Sequence, residues 1–288
     1  MIGRGAAFLT AGLLAAAAAP VRIVSVAPST TEILFAVGAG PRVVADTRFC
    51  DYPPEARALP KVGGFLDVSY EAVLAARPDL VVGARNAANR DVVDRLAAAG
   101  VPTEFPPAET VAETLSAVRA IGARTGDAGR AEAVAVEMER ALARLSGLLA
   151  GAPPVRALVL YGHRPLVVAG GGTFADELLR RARAVNLAGG SAVRYPTWPP
   201  EAVAEQHPGV IVDVSMAGTE GLDAGDPSAA GAGGEASGAG GELAALFALR
   251  DTRLVRLDAV EVMRPGPRLA RALVLVAHAL HPALVPAP

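Results

Sequence analysis

The chain has 288 residues, of which 52% are hydrophobic, 19% charged and 4% aromatic, a length that can bury a large core in one big domain or in two lobes. Its 27 Lys and Arg residues nearly balance 29 Asp and Glu residues, which argues against a nucleic-acid-binding protein, because such proteins normally carry a basic excess. The single cysteine, Cys50, excludes an internal disulfide framework and a cysteine-based structural zinc site.

The first 20 residues are typical of an export signal. Arg4 supplies a positive charge, residues 6–19 form an uncharged apolar run, and the small side chains of Ala17 and Ala19 suit cleavage. The run of about 14 residues is shorter than the roughly 20 needed to cross a bilayer as a helix. We therefore predict that residues 1–20 are a signal peptide, with a buried helix of the mature fold as the alternative.

Strands and helices alternate along the first part of the mature chain. Residues 22–27 form a β-branched run that predicts a strand, and residues 33–37 predict a helix that Ser29 or Thr30 can cap. A strand at residues 80–83 and a helix at residues 90–99 continue the pattern. This alternation predicts a parallel sheet flanked by helices.

A long charged helix is predicted over residues 127–149. Its apolar residues step by four and three and form one stripe: Val134, Met138, Ala141, Leu145 and Leu148. The α/β pattern restarts at residue 155, so the helix lies between two α/β halves. We predict an α/β fold of two Rossmann-like lobes, residues 21–125 and 151–288, joined by one backbone helix at residues 126–150. A coiled-coil helix is the alternative, but the stripe is too short for several heptads.

Residues 217–241, within the second half, are rich in Gly, Ala and Ser and contain few apolar anchors. This composition predicts a flexible surface insertion. The Gly231 and Gly233 pair follows no strand, so the segment is not a dinucleotide-binding loop.

Two segments 130 residues apart resemble each other, residues 71–82 and residues 201–212. Each predicts a short helix, a break at proline and a buried strand. Glu71 and Glu201 stand at the starts of these helices, where a carboxylate gains from the helix dipole whatever the function. Because the feature is duplicated across both halves, it also indicates two equivalent acidic groups that suit a partner with two basic sockets.

The sequence offers little catalytic chemistry. It contains no nucleophile-elbow, phosphate-loop or zinc-protease motif, and Cys50 lacks positive neighbours that would activate a thiol, apart from Arg48. We therefore predict neither catalytic nor metal-binding residues and no enzymatic activity. The alternative from another class is a two-lobed α/β enzyme of the metal-chelatase type, which would require His163 and acidic residues to converge in a cleft.

Five of the scarce aromatic residues fall at loop positions, where binding residues concentrate on a rigid scaffold. They are Phe49, Tyr52, Phe65, Tyr195 and Trp198. Clusters from both halves can line a cleft between lobes and would suit a large, flat, partly apolar ligand. Arg264, which follows Met263, adds a hydrogen-bond donor from the second half. The alternative is that these rings are hydrophobic plugs beneath loops.

Several of these segments resemble the periplasmic binding proteins of cobalamin, haem and siderophore ABC importers, and the cobalamin-binding members most of all. The resemblance covers nearly all of residues 21–285 and is carried by residues 22–33, 49–54, 61–65, 77–81 and 264–268. It implies the class III fold, in which one rigid helix joins two lobes around a ligand cleft. It also implies a non-enzymatic, monomeric carrier in the periplasm. We expect a mostly preformed cleft, because a single helix tethers the lobes stiffly.

The resemblance implies a role for each candidate residue. A corrinoid such as cobalamin would be the transported ligand, with no further cofactor. Its ring contacts would fall on Phe49, Phe65 and Tyr195, with Arg264 near the edge. The full predicted ligand-binding set is Phe49, Tyr52, Phe65, Tyr195, Trp198, Met263 and Arg264. Glu71 and Glu201 would engage arginine pockets on the permease of an importer that also contains an ATPase.

Haem and ferric siderophores are the alternative ligands within the family. Haem carriers often use Tyr or His as an iron ligand. The matching position here is Phe65, which has no donor atom, although Tyr52 can substitute. Ferric siderophores are anionic and usually need several cleft arginines, which Arg48, Arg85, Arg164 and Arg264 would supply.

Overall fold

The computed structural model describes residues 19–84, 90–215 and 251–287. The predicted signal peptide lies almost wholly outside these residues, and the predicted insertion at residues 217–241 lies wholly outside them. Within the described ranges, every helix is too short or too polar to cross a membrane.

Four parallel strands form the N-terminal sheet, in the order β2-β1-β3-β4. They are β1 (Ile23–Ser25), β2 (Val43–Ala45), β3 (Leu80–Val82) and β4 (Thr103–Glu104). β1 and β3 are buried at every position, which agrees with their continuous apolar and β-branched sequences. This sheet is the centre of what we call the N-terminal lobe.

Helices alternate with these strands, as the sequence predicted. They are α1 (Pro28–Ala36), α2 (Tyr70–Ala75), α3 (Arg90–Ala98) and α4 (Val111–Thr125). The prediction that Ser29 or Thr30 caps α1 is wrong, because Pro28 occupies the first turn and Ala27 precedes it without a side-chain cap. The hydroxyls of Thr30 and Thr31 instead donate to the carbonyl of Ala27.

The long helix α5 (Ala128–Leu148) follows α4 directly and confirms the predicted connecting helix. Its 21 residues give a length of about 30 Å at 1.5 Å per residue. The buried stripe consists of Ala131, Ala135, Met138, Leu142 and Leu145. The predicted stripe was correct at Met138 and Leu145 but wrong at Leu148, whose side chain lies in the last turn and is exposed.

The C-terminal sheet has five strands, in the order β6-β5-β8-β9, with β7 also paired to β5. They are β5 (Val155–His163), β6 (Leu166–Val168), β7 (Ala184–Asn186), β8 (Val210–Asp213) and β9 (Arg253–Arg256). β6 folds back antiparallel onto β5, whereas β7, β8 and β9 are parallel to their partners. The helices of this C-terminal lobe are α6 (Phe174–Arg181), α7 (Pro200–Glu205), α8 (Ala259–Val262) and α9 (Leu269–Leu280).

The largest apolar cluster runs through both lobes and the connecting helix. It includes Ile33 of α1, Leu142 of α5 and Leu273 of α9. Two smaller clusters cover the other face of each sheet, one around Val81 and one around Leu158. The lobes therefore share one continuous core and are not connected by the helix alone.

The internal repeat is structural as well as sequential. The residues before its two prolines, Arg77 and His207, both adopt left-handed backbone conformations, with φ of 48° and 47°. Such angles are uncommon outside glycine, and they end α2 and α7 in the same way before Pro78 and Pro208.

An arginine at the start of the central strand secures each copy of the repeat. Arg22 Nη2 donates to the carbonyl of Ala76 at 2.7 Å, and Arg156 Nη2 donates to the carbonyl of Gln206 at 2.5 Å. A positive group at the carboxyl end of a helix interacts favourably with its exposed carbonyls. The two halves therefore share the strand, the helix and the side chain that joins them.

Candidate functional site

Ligands of open α/β sheets bind beyond the carboxyl ends of the parallel strands. In this chain that edge of the N-terminal lobe carries the loop after β2, residues 46–53. In the C-terminal lobe it carries the segment after β9, residues 257–268. Several side-chain contacts join these two segments, so the candidate site lies where the lobes meet.

Glu32 and Arg268 form the central contact between the lobes. Arg268 donates from Nε to Glu32 Oε2 at 2.9 Å and from Nη2 to Oε1 at 2.7 Å. The Glu32 side chain is only 1% exposed. Burial by itself would lower the pKa of Arg268, but its hydrogen bonds to Glu32 outweigh that effect and raise it. Sequence analysis missed this pair, because hydrophobic periodicity reports local structure and does not indicate contacts between residues 236 positions apart.

Arg264, a predicted ligand contact, binds the aromatic loop of the opposite lobe. Its Nη1 lies 2.5 Å from Asp51 Oδ1 and 3.5 Å from Glu32 Oε1, and its Nη2 donates to the carbonyl of Phe49 at 3.1 Å. The guanidinium of Arg268 lies 4.4 Å from the ring centroid of Tyr52, which is 45% exposed. Phe49, Tyr52 and Arg264 are therefore brought together across the boundary between the lobes.

The second aromatic loop of the N-terminal lobe is held beside the first. Arg48 lies 4.9 Å from the ring centroid of Phe49 and makes two hydrogen bonds to Asp67, both of 2.9 Å. The hydrogen bonds from Arg48 lower the pKa of Asp67. Gly64 makes room for this pair, because a Cβ there would lie 2.2 Å from Asp67 Oδ1. Phe65 is buried, so its ring is not presented as openly as the sequence suggested.

Tyr161 organises the aromatic residues of the C-terminal lobe. Its ring meets that of Tyr195 edge-on, with centroids 5.3 Å apart, and its hydroxyl donates to Met263 Sδ at 3.0 Å. Burial raises the pKa of the Tyr161 phenol. Trp198 packs against the apolar cluster around Leu158. Sequence analysis missed Tyr161, although the α/β pattern that restarts at residue 155 already indicated a strand there.

Two further polar contacts cross between the lobes near α4. Arg194 Nη1 lies 2.6 Å from Glu109 Oε2, and the backbone N–H of Val111 donates to Glu177 Oε2 at 2.8 Å. Glu177 is itself held by Arg181 at 2.8 Å. The lobes are thus joined by polar contacts at two separate places as well as by the common core.

Beneath the first aromatic loop lies a buried polar layer. Lys61 Nζ donates to Asp46 Oδ1 at 2.6 Å, and burial raises the pKa of Asp46 to about 6 although this bond opposes it. Cys50 is buried against the hydroxyls of Thr31 and Thr47. Burial raises the pKa of its thiol, which is the opposite of what an activated nucleophile requires.

His163 does meet an acidic residue, the feature that a chelatase-like enzyme would need. Its Nε2 lies 3.1 Å from Asp213 Oδ1 and 2.7 Å from Ser215 Oγ, and Arg256 Nε donates to Asp213 Oδ2 at 3.2 Å. Serine and aspartate meet the same ring nitrogen, so the imidazole does not relay a proton between them. Among the described residues, no group of three or more His, Cys, Asp or Glu side chains is placed to hold a metal ion.

Glu71 and Glu201 occupy equivalent places, in the first turns of α2 and α7. Both are exposed. Each helix leads into a strand, β3 or β8, that is parallel to both of its neighbours, so the first turn of the helix lies at the carboxyl edge of those strands, the edge that carries the candidate site. Glu71 is also near Arg95, with 3.6 Å between Oε1 and Nη2, and Arg95 stacks on Tyr70 at 4.0 Å.

Sequence comparison gives one family match and a group of curated relatives. The model of the family described as "Periplasmic binding protein" matches residues 23–227. The vitamin B12-binding protein of Pectobacterium carotovorum is 29% identical over 216 residues, which cover 74% of this chain and 78% of the relative. The vitamin B12-binding protein of Yersinia pestis strain Pestoides F is 30% identical over 210 residues, or 73% of this chain and 75% of the relative.

Solved structures with the same fold include carriers of two kinds of ligand. The periplasmic vitamin B12-binding protein BtuF of Vibrio cholerae has a TM-score of 0.74 and 24% identity, covering 92% of this chain and 98% of that one. A periplasmic haem-binding protein of Pseudomonas aeruginosa has a TM-score of 0.75 and 28% identity, covering 93% and 95% of the two chains. These matches confirm the predicted α/β fold class.

Proposed function

Because the chain belongs to the periplasmic binding protein family, we propose that it captures a corrinoid such as vitamin B12 between its lobes and delivers it to an ABC importer. The observation that carries the proposal is the contact of Arg264 and Arg268 with the aromatic loop at residues 49–52. It puts predicted ligand residues of both lobes on one shared boundary. Curated relatives named vitamin B12-binding protein support the choice of ligand.

Seven residues make up the proposed ligand site. Phe49, Tyr52 and Arg264 form its cross-lobe part, and Tyr195 with Met263 forms its C-terminal wall around Tyr161. Phe65 and Trp198 are proposed as the supports beneath the two walls, since Phe65 is buried and Trp198 packs against the core of its lobe. Flat aromatic faces with few polar groups suit a large macrocycle.

We further propose that the protein is exported to the periplasm by residues 1–20 and works as a monomer without a cofactor or any chemistry of its own. The family supports a transport role. The buried thiol of Cys50 is consistent with that role. Glu71 and Glu201 are proposed to dock onto the permease of the importer.

Haem is the second candidate ligand. The solved haem-binding protein of Pseudomonas aeruginosa shares 28% identity with this chain, and Tyr52 offers an exposed phenol as an iron ligand. The siderophore alternative depends on arginines of which Arg85 lies outside the described residues, while Arg48 and Arg264 are already bound to carboxylates.

A titration of the purified mature protein with cyanocobalamin tests the corrinoid proposal. We expect saturable heat release in calorimetry and a change in the corrinoid absorption spectrum, with a dissociation constant in the micromolar range or below, on the order of −8 kcal/mol or stronger. A parallel titration with haem distinguishes the second candidate. The absence of heat and of a spectral change with cyanocobalamin would reject the corrinoid assignment.

A further inference from the structure

The arginines that border the proposed ligand site are bound to carboxylates of the chain itself. Arg264 contacts Asp51 at 2.5 Å and Glu32 at 3.5 Å. Arg48 makes a two-pronged contact with Asp67, with both N–O distances at 2.9 Å. Each guanidinium therefore meets its counter-ion before any ligand arrives.

Both pairs lie directly beside Phe49. Arg48 stacks on the Phe49 ring at 4.9 Å, and Arg264 donates to the Phe49 carbonyl at 3.1 Å. A Cβ at Gly64 would collide with both members of the Arg48–Asp67 pair, at 2.5 Å from Nη2 and 2.2 Å from Oδ1. The loops of the N-terminal lobe are thus built around these two neutralised pairs.

The C-terminal wall, formed by Tyr195 and Met263, is also bordered by an arginine that is bound to a carboxylate. Arg194 precedes the proposed ring contact Tyr195, and its Nη1 lies 2.6 Å from Glu109 Oε2 of the other lobe. The hydrogen bond that Arg194 donates to Glu109 raises the pKa of Arg194. Three arginines next to proposed ring contacts are therefore charge-compensated within the protein.

This arrangement treats ligand carboxylates and ligand amides differently. A ligand carboxylate that accepts from a free N–H of such an arginine comes close to Asp51 or Asp67, so two negative charges are brought together. A neutral amide adds no charge there. Its carbonyl can accept from a guanidinium N–H, and its N–H can donate to the aspartate. The contacts of Arg264 use Nη1 and Nη2 and leave its Nε–H without a partner among the described residues.

We infer that Asp51 and Asp67 determine specificity, by making the site select a macrocycle with neutral amide side chains over one with carboxylate side chains. The inference rests on the proposed function and narrows its ligand class. Corrinoids with amide side chains meet this requirement. Haem, with its two propionates, and anionic ferric siderophores do not.

The test compares two probes that share one corrin ring, dicyanocobinamide with amide side chains and dicyanocobyrinic acid with carboxylates. We expect the wild-type protein to bind the amide form more tightly by roughly tenfold or more, because only the carboxylate form places a negative charge next to Asp51 and Asp67. In the double variant D51N/D67N the freed arginines can bind carboxylates, so this preference should fall by about tenfold. Calorimetry gives both affinities.

The control is the double variant E132Q/E139Q, which makes the same change in net charge around Arg119, away from the candidate site. It should keep the wild-type preference, and thermal melting verifies that every variant is folded. D67N alone serves if the double variant does not fold, since the Asp67 side chain is 63% exposed. An unchanged preference in the Asp51 and Asp67 variants, with cyanocobalamin still bound, overturns the inference and leaves the proposed function intact.

If neither corrinoid binds the wild-type protein, the corrinoid proposal fails by itself. The charge inference is then decided with haem, a dicarboxylate macrocycle. Tighter haem binding by D51N/D67N than by the wild type supports it, and equal or weaker binding overturns it.

Discussion

At the scale of single residues, Asp46 shows that the loops of the candidate site are held by a carboxyl group whose burial disfavours its charged form. Its side chain is fully buried, and Oδ2 has no hydrogen-bond partner within the described part of the chain. Burial raises its pKa from 3.8 to about 6 in spite of the bond from Lys61. The backbone of Asp46 also bonds to residues 60 and 62, so this carboxylate sits between the two aromatic loops.

The raised pKa predicts how stability depends on pH. The folded protein holds the proton of Asp46 more tightly than the unfolded chain does, so this group favours folding most at low pH. The advantage is lost as pH rises from about 4 to about 6. Across that window the free energy of unfolding of the wild type should fall relative to that of D46N, by about 3 kcal/mol at most.

Urea unfolding of both proteins on either side of that window measures the difference. D67N is the control, because the pKa of Asp67 is lowered, so its contribution to stability changes with pH in the opposite direction to that of Asp46. A difference between wild type and D46N that does not vary with pH would show that Asp46 is not held as described.

At the residue scale the sequence identified exposed or half-exposed binding candidates but not their partners. Tyr52, Met263 and Arg264 stood out by residue type and loop position. Glu32 and Tyr161 did not stand out, because a carboxylate in a helix and a tyrosine in a strand are unremarkable until the fold brings Arg268 and Met263 to them. Such pairings depend on tertiary structure and leave no local pattern.

At the scale of elements, the contact between α4 and α5 depends on one glycine. A Cβ at Gly122 would lie 2.1 Å from Ala131 Cβ, so the two helices approach more closely than any larger residue permits. The exposed side of the same helix pair carries Arg119, which bonds to Glu132 and Glu139. Close backbone approach and surface ion pairs together fix how the connecting helix leaves the N-terminal lobe.

Gly122→Ala is therefore expected to destabilise the protein, by about 1–3 kcal/mol, since the added methyl group forces the helices apart. The matched substitution is Gly147→Ala in α5, where a Cβ would meet nothing within 4 Å. It should be neutral or stabilise the protein by up to about 1 kcal/mol, because alanine favours a helix. Chemical denaturation of the two variants decides the point, and equal effects would contradict it.

The sequence predicted elements better than their ends and faces. The connecting helix was placed within a residue of its observed limits, Ala128–Leu148, because a long amphipathic pattern averages over many positions. The start of α1 was misjudged because serine and threonine favour capping positions only where the chain leaves them free, and Pro28 begins the helix first. Packing between helices decided which stripe of α5 is buried.

At the scale of the whole molecule, the buried contact of Glu32 with Arg268 and Arg264 joins the lobes. Glu32→Gln removes the charge that compensates two largely buried guanidinium groups. We expect a loss of about 3 kcal/mol in stability, because breaking a buried ion pair leaves an unpaired charge. Amide hydrogen exchange should also become faster in residues 49–53 and 264–268.

Glu132→Gln, which breaks an exposed pair, is the comparison and should cost less than about 1 kcal/mol. Thermal or urea unfolding gives the stabilities, and hydrogen exchange read by mass spectrometry gives the local effect. Faster exchange spread evenly over the chain, or no difference between the two variants, would mean that Glu32 does not hold the lobes together.

The docking proposal also belongs to the whole molecule, because it needs Glu71 and Glu201 from opposite lobes. In the double variant E71K/E201K, binding to a reconstituted vitamin B12 ABC importer and stimulation of its ATPase should be lost, since like charges then face the basic sockets. Cyanocobalamin affinity should be unchanged. E55K/E137K reverses two other exposed glutamates and should retain coupling. Loss of ligand affinity in E71K/E201K would instead place these residues in the pocket.

The apolar cluster shared by α1, α5 and α9 has a consequence for how this chain can be handled. Cutting the polypeptide within α5 would expose apolar surface on each half, so neither fragment should remain soluble by itself. Heating the intact polypeptide should accordingly give one sharp calorimetric peak, with both halves melting together.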